Sequence, residues 1–144
     1  MLKHIPALLT PDALHALASM GHGDELAIVD AHFPAARIAA QHGARLVQLP
    51  GADLPAVARA VLALLPLDEQ GGPAAHTMQV VGDASVLPPA VAEVQAVLRE
   101  AGAESVAPLE RFAFYERAAR AFAVFAIGET RTYGNLLLRK GVVT

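Results

Sequence analysis

The apolar residues of this chain form two kinds of stretch, some with helical spacing and some short and continuous. Apolar positions that recur every three or four residues predict helices, and such stretches cover residues 11–20, 55–65, 89–101 and 111–120. Short apolar runs between turn residues predict buried strands, and they cover residues 25–29, 45–49, 78–81, 106–109, 121–127 and 136–139. Strands that alternate with helices are typical of an α/β protein.

Several residues mark where the predicted helices begin and end. Thr10 before Pro11, and Asp53 before Pro55, are typical of helix N-termini, because a capping oxygen precedes a proline in the first turn. Gly21 is expected to end the first helix. These signals predict a three-layer α/β/α domain over residues 1–144, with helices on both faces of a mixed, largely parallel sheet. Only residues 128–135 separate the last two strands, so we expect these strands to pair as a C-terminal β-hairpin.

Composition and charge narrow the class of protein. Hydrophobic residues make up 54% of the chain and charged residues 17%, which excludes a disordered protein. The net charge of −3 and the lack of a basic run argue against a nucleic-acid partner. No signal peptide or membrane span is evident, and the absence of cysteine excludes disulfides and thiolate catalysis. We therefore expect a cytoplasmic protein, and so much apolar surface on a small body suggests a homo-oligomer.

The densest group of reactive side chains surrounds the first predicted strand. His22 lies between two glycines that allow a sharp turn, and Asp30 follows the strand at its carboxyl end, where ligands of α/β sheets usually bind. We expect the helix, the turn and the strand to bring this imidazole and carboxylate to one edge of the sheet. Singly, each residue has a structural explanation, since Asp30 can cap a turn and His22 can be solvent-exposed.

Two further groups carry polar and aromatic side chains. Arg111 and Tyr115 lie in the RFAFYERA stretch, whose aromatic residues are explained by packing except for Tyr115, since a buried phenol needs a hydrogen-bond partner or a role. Tyr133, Gly134 and Asn135 precede the last strand. As a turn they are unremarkable, but an aromatic ring and an amide suit a sugar, which offers a ring face and hydroxyl groups.

Other kinds of site have weaker support in the sequence. Phosphate loops, dinucleotide fingerprints and serine nucleophile elbows are absent. A divalent metal held by His22, Asp24, Asp30 and His32 is the main chemical alternative, although the four residues match no known ligand spacing. We expect no metal and no cofactor.

The combined motifs resemble the family of L-fucose mutarotases and D-ribose pyranases. The runs MGHGDE, DAHFP, RFAFYERA and YGN, with LLLRKGV after it, occur in the order and spacing of L-fucose mutarotases, and the pyranases share the GHGD and D-A-x-x-P parts of the first two. The RFAFYERA stretch favours the fucose branch, whereas residues 35–50 depart from it.

The resemblance implies a site and a reaction. It implies that His22 is the catalytic proton donor, that Tyr115 lies near the site, and that the substrate contacts are Asp30, Arg111, Tyr133, Gly134 and Asn135. It also implies a ring-shaped oligomer, often a decamer, with the sugar at a subunit interface. The expected activity is cofactor-free mutarotation of a free monosaccharide, most consistent with L-fucose. A D-ribose pyranase-type activity and a non-catalytic sugar-binding protein remain the alternatives.

Overall fold

The computed structural model describes residues 1–144 as five helices around one six-stranded sheet. The helices are α1 (Pro11–Ser19), α2 (Ala35–Ala40), α3 (Leu54–Leu62), α4 (Pro89–Glu100) and α5 (Arg111–Ala119). The strands are β1 (Glu25–Val29), β2 (Arg45–Leu49), β3 (Ala75–Met78), β4 (Val106–Leu109), β5 (Ala123–Ile127) and β6 (Leu136–Arg139). No helix is long and apolar enough to cross a membrane.

The sheet is mixed and largely parallel, as the sequence predicted. Its strand order is β2-β5-β1-β6-β3-β4, and β6 alone runs antiparallel to its neighbours β1 and β3. The carboxyl ends of the other five strands therefore lie along one edge of the sheet, which we call the carboxyl edge. The opposite edge, where those strands begin and β6 ends, is the amino edge.

The predicted C-terminal hairpin is wrong. β5 and β6 do not pair with each other, because β1 lies between them and bonds to both. Ala27 of β1, for example, is in register with Val124 of β5 on one side and Leu137 of β6 on the other. Both sides of β1 are thereby hydrogen-bonded, which satisfies the backbone groups of a strand buried at the centre of the sheet.

Two cores, one on each face of the sheet, confirm the three-layer arrangement. The larger core joins the sheet to α1, α3 and α4, and the smaller core joins it to α2 and α5. Because successive side chains of a strand point to opposite faces, Leu26 and Ile28 enter the larger core while Ala27 and Val29 enter the smaller. β1 is thus apolar on both faces, as a central strand requires.

Most predicted element boundaries agree with the structure. The Thr10 hydroxyl accepts a hydrogen bond from the backbone N–H of Ala13, and the Asp53 carboxylate accepts one from Ala56, so both predicted helix caps are present. Two elements differ from the prediction. α2 had not been predicted, and β3 ends at Met78 rather than beginning there.

Candidate functional site

A cavity of about 200 Å³ opens at the carboxyl edge, where β1, β6 and β3 are neighbours. We call it the carboxyl-edge pocket. Its lining combines charged, amide and aromatic side chains: Asp30, His32, Phe33, Met78, Arg111, Tyr115, Thr132, Tyr133 and Asn135. The volume is below the roughly 300–1,000 Å³ of pockets for drug-sized ligands, which favours a small polar ligand.

Asp30 is the most constrained polar residue of the pocket. Its side chain is buried, with Oδ1 accepting from the backbone N–H of His32 at 3.0 Å and Oδ2 accepting from that of Gly134 at 3.1 Å. Burial raises the pKa of Asp30, although the backbone N–H groups of His32, Phe33 and Gly134 favour the ionised form and oppose the rise. The carboxylate is therefore held rigidly at the pocket wall as a hydrogen-bond acceptor.

The Tyr133-Gly134-Asn135 segment closes the pocket beside Asp30. Tyr133 has a positive φ of 63°, an uncommon conformation for a residue with a side chain, and its hydroxyl accepts a hydrogen bond from the backbone N–H of Val81. Asn135 Oδ1 accepts from the backbone N–H of Asp30 at 2.9 Å, which leaves the amide N–H₂ group near Met78. Tyr133 and Asn135 line the pocket, whereas Gly134 contributes the N–H that holds Asp30.

The start of α5 supplies Arg111 and Tyr115. Glu110 caps this helix by accepting from the backbone N–H groups of Phe112 and Ala113, which places Arg111 in the first turn at the carboxyl edge. The Nε of Arg111 is buried without a hydrogen-bond partner in the protein, a condition that a bound ligand would relieve. Tyr115 packs edge-to-face on Phe33, with ring centroids 5.1 Å apart.

His22 lies at the amino edge, so the expectation that it shares an edge with Asp30 is wrong within one chain. His22 precedes β1 and Asp30 follows it, and the five residues of β1 separate them by roughly 16 Å at about 3.3 Å per residue. The His22 side chain is 59% exposed, and its Nε2 donates to Asp68 Oδ2 at 3.3 Å. Of the predicted site residues, His22 is the one that the fold places apart from the pocket.

The four residues of the metal alternative do not come together. His22 and Asp24 lie before β1 and Asp30 and His32 lie after it, so the strand separates the two pairs. No group of three or more histidine, aspartate or glutamate side chains is arranged to hold a metal ion. Instead, His32 Nε2 donates to the backbone carbonyl of Thr130 at 2.9 Å.

Sequence reasoning missed several residues of the carboxyl-edge pocket and one partner of His22. His32 had been considered only as a metal ligand, and Phe33, Met78 and Thr132 had no predicted role, yet all four line the pocket. Three of them could have been found from their neighbours in the sequence, since His32 and Phe33 closely follow Asp30 and Thr132 precedes Tyr133. Met78 could have been found from its position at the end of a strand. Asp68 carried no such signal, because its contact with His22 spans 46 positions of the sequence.

The buried Glu129 and the half-buried Arg131 form an ion pair, which we call the brace, within the loop of residues 128–135 that leads to the pocket. Glu129 is 2% exposed and accepts hydrogen bonds from the Arg131 side chain, the Arg131 backbone and the backbone N–H of Leu54. The bond from the Arg131 side chain is the main cause that lowers the pKa of Glu129 from its ordinary 4.5 to about 2, against the opposing effect of burial. Arg131 also bonds to Glu93 of α4 at 2.8 Å, so the brace joins the loop to two helices.

The fold and the pocket together define a small α/β protein that binds a polar small molecule at the carboxyl edge of its sheet. Residues 3–143 match the model of the RbsD / FucU transport protein family, and the chain belongs to this family. It is 47% identical to the fucose mutarotase of Homo sapiens over 146 residues, which cover 99% of this chain and 94% of the human protein.

Two solved structures show the same fold at substantial sequence identity. The fucose mutarotase from Streptococcus pneumoniae, determined in complex with L-fucose, is 36% identical with a TM-score of 0.90, covering 99% of this chain and 100% of that one. FucU from Bifidobacterium longum is 39% identical with a TM-score of 0.90 and the same coverage. The resemblance noted in the sequence motifs is thereby confirmed.

Proposed function

We propose that this chain is a mutarotase, an isomerase that interconverts the α and β anomers of free L-fucose by acid–base catalysis without a cofactor. The observation that carries the proposal is the carboxyl-edge pocket, which sets a buried carboxylate, a partnerless guanidinium nitrogen and two tyrosines around a volume suited to a small ligand. The similarity to an L-fucose-bound mutarotase over almost the whole chain supports the choice of sugar. We treat residues 1–144 as a single mutarotase domain.

Mutarotation requires two proton transfers. A base removes the proton of the anomeric hydroxyl while an acid protonates the ring oxygen, the bond between that oxygen and the anomeric carbon breaks, and the open aldehyde recloses on its other face. We assign proton exchange to His22, because histidine is the side chain that ordinarily titrates near neutral pH. Tyr115, or a water molecule, exchanges the second proton on the opposite side of the sugar. Acid–base help of roughly 10²- to 10⁴-fold is the usual size of such an effect.

The remaining pocket residues bind the sugar. Asp30 and Arg111 hold sugar hydroxyls by charge-assisted hydrogen bonds, and Tyr133 covers a face of the ring. Asn135 uses its amide N–H₂ group, because its Oδ1 is occupied by the backbone of Asp30. Gly134 acts by fixing the Asp30 carboxylate, and its lack of a side chain lets the backbone lie close to Glu129.

We further propose that a complete site joins two copies of this chain in a homo-oligomer, with His22 of one copy facing the pocket of its neighbour. His22 cannot reach the pocket of its own chain, since β1 holds the two roughly 16 Å apart. The exposure of the His22 ring and the open pocket support such a contact. A decamer is the assembly we expect. We place the activity in the cytoplasm, because the chain has no cysteine for the disulfides on which small secreted domains often rely.

The activity is tested by saturation-transfer NMR on L-fucose. The signal of one anomer is saturated and the loss of intensity at the other is followed, with and without catalytic amounts of protein. Faster exchange that disappears in a folded His22→Ala variant supports the mutarotase. Unchanged exchange together with sugar binding would make the chain a binding protein, and acceleration with D-ribose alone would make it a pyranase. Arg59→Gln, which alters a surface ion pair between α3 and α4, is the control variant.

The shared site is tested by mixing two impaired variants at an L-fucose concentration well below the dissociation constant of Arg111→Gln, where neither variant alone accelerates exchange. His22→Ala keeps an intact pocket and Arg111→Gln keeps an intact histidine, so mixed oligomers would regain activity at about a quarter of their sites if subunits exchange at random. Size-exclusion chromatography coupled to light scattering gives the number of subunits. A mixture of Arg111→Gln with Asp30→Asn, which damages the pocket in both partners, should regain nothing. Failure of the first mixture after demonstrated subunit exchange would exclude a site shared between copies.

A further inference from the structure

Arg139 and Lys140 belong to the LLLRKGV motif, but neither residue lines the carboxyl-edge pocket. β6 begins beside the pocket and runs antiparallel to β1, so its last residues reach the amino edge. Both cations therefore lie beside the turn that carries His22. Their hydrogen bonds connect β6 to the end of α1 and to the loop that carries Asp68.

Lys140 anchors the chain just before His22. Its ammonium donates to the backbone carbonyl of Leu17 at 2.8 Å and to that of Met20 at 2.7 Å. Carbonyl groups at the end of a helix have no partner within the helix, and a cation is favoured there. Lys140 thus fixes the end of α1 and the residue two positions before His22.

The backbone of Lys140 anchors the chain just after His22. The N–H of Gly23 donates to the Lys140 carbonyl at 2.9 Å, and the Lys140 N–H donates to the Asp24 carbonyl at 2.9 Å. A turn with two glycines has little stiffness of its own. Lys140, the residue directly after β6, therefore fixes this turn on both sides of His22.

Arg139 fixes the partner of the His22 ring. Its Nε donates at 3.2 Å to Asp68 Oδ2, the same oxygen that accepts from His22 Nε2. Its Nη2 donates to three backbone carbonyls of the loop, those of Asp68, Gln70 and Gly72. The guanidinium thus holds both the Asp68 side chain and the loop from which it extends.

The anchored carboxylate also fixes the tautomer of His22. A carboxylate only accepts, so the contact places a proton on Nε2 and leaves Nδ1 as the lone-pair nitrogen of the neutral ring. Burial raises the pKa of Asp68, but the Gln70 backbone N–H, Arg139 and His22 together lower it below its usual value. Asp68 is thereby kept ionised as the acceptor for His22.

We infer that Arg139 and Lys140 are positioning residues of the mutarotase: they hold the His22 turn and its Asp68 partner so that the imidazole keeps one position and one tautomer. The inference rests on the proposed function for the catalytic role of His22, but the contacts of the turn do not depend on it. If the two cations only stabilised the fold, their removal would lower the unfolding temperature and leave the state of the His22 ring unchanged.

The test compares Lys140→Met and Arg139→Gln with the conservative variants Lys140→Arg and Arg139→Lys. All are studied below their unfolding temperatures, with Arg59→Gln as a control that alters a cation far from the turn. The ¹H–¹⁵N signals of the His22 ring, assigned by their loss in His22→Ala, report its tautomer and mobility. Saturation-transfer NMR on L-fucose gives kcat and KM.

We expect Lys140→Met and Arg139→Gln to lower kcat by roughly 10- to 100-fold, the effect of small misplacements of a catalytic group. KM should change little, since the pocket is untouched. The His22 signals should move toward a mixture of tautomers. Arg139→Lys should restore kcat only in part, because lysine lacks the planar guanidinium group that donates several hydrogen bonds at once. Ring signals and kcat equal to those of the wild type in both variants would overturn the inference. If the wild-type protein accelerates no sugar, the proposed function fails and the ring signals alone decide the positioning role.

Discussion

The backbone N–H of Asp30 donates to the side-chain oxygen of Asn135 across 105 positions of the sequence, at 2.9 Å. This bond joins the end of β1 to the start of β6, two strands that pair antiparallel. This bond and the bond from Gly134 to Asp30 Oδ2 connect the pocket wall, formed by Asp30 and Asn135, directly to the sheet. Substitutions of this wall are therefore expected to change stability and sugar binding together.

Asp30→Asn should weaken both properties. The amide retains one acceptor oxygen, so its N–H₂ group would oppose one of the two backbone donors, from His32 or Gly134, that now meet the carboxylate. A buried donor left without a partner costs about 1–3 kcal/mol. Urea unfolding measures this loss, and titration with L-fucose measures the loss of affinity. Asp83→Asn, on an exposed loop, provides the comparison, and equal stability of the two variants would contradict the prediction.

Gly134→Ala should destabilise the protein for a steric reason. A Cβ at this position would lie 2.6 Å from Glu129 Cγ, which is too close, so the Glu129 side chain or the loop backbone must shift, whereas the distance of 3.5 Å to Asp30 Cβ is an ordinary contact. Crowding of this kind typically costs about 1–3 kcal/mol. Gly51→Ala is the matched control, because its Cβ would meet nothing within 4 Å and its φ is not in the left-handed region. Thermal unfolding should separate the two alanine variants, and similar midpoints would show that the loop yields without cost.

Arg111→Gln should reduce sugar affinity while leaving stability nearly unchanged. The Nε of Arg111 has no hydrogen-bond partner in the protein, so its removal breaks no internal bond there. Hydrogen bonds to charged groups contribute about 1.5–3 kcal/mol, so the dissociation constant for L-fucose should rise by roughly 10- to 100-fold. Calorimetric titration beside urea unfolding checks both parts. A large loss of stability with normal binding would assign Arg111 to the fold instead.

Glu129→Gln should remove a pH dependence of stability in acid. Because folding lowers the pKa of Glu129 from 4.5 to about 2, its stabilising effect is complete above pH 4.5 and is lost as the pH falls from 4.5 toward 2. A shift of this size corresponds to something on the order of 3 kcal/mol. Unfolding free energies of the wild type and the variant, measured at pH 7, 4.5 and 3, should therefore converge as the pH falls. A constant difference between them would refute the assignment of this pKa.

The elements that were predicted well are those with strong local signals. β1, β2, β4 and β6 have the predicted bounds, since each is a short apolar run between turn residues. α2 was missed because its six residues are too few to show a helical period. β3 was shifted because the chain turns away after Met78 toward Gly82, although Val80 and Val81 prolong the apolar run.

What the sequence did not reveal depends on contacts between distant residues. β6 pairs with β1 and β3 and not with β5. This pairing depends on which strands have unpaired backbone groups in the assembled sheet. The five lining residues that were predicted as site residues do come together in one pocket: Asp30, Arg111, Tyr115, Tyr133 and Asn135. The contacts of His22 with Asp68, and of Arg139 with the 68–72 loop, join segments that carry no motif in common.

The separation of His22 from Asp30 by the length of β1 bears on how such a protein changes over evolution. Free-energy effects of substitutions more than about 7–10 Å apart are usually additive, and the two ends of this strand are roughly 16 Å apart. Within one chain, changes among the pocket residues therefore leave the folding energetics of the histidine turn intact. In the proposed oligomer, however, His22 of one copy faces the pocket of the next, so a change of sugar would act on the pocket and on the facing histidine turn together, although the two ends of the strand are independent in folding.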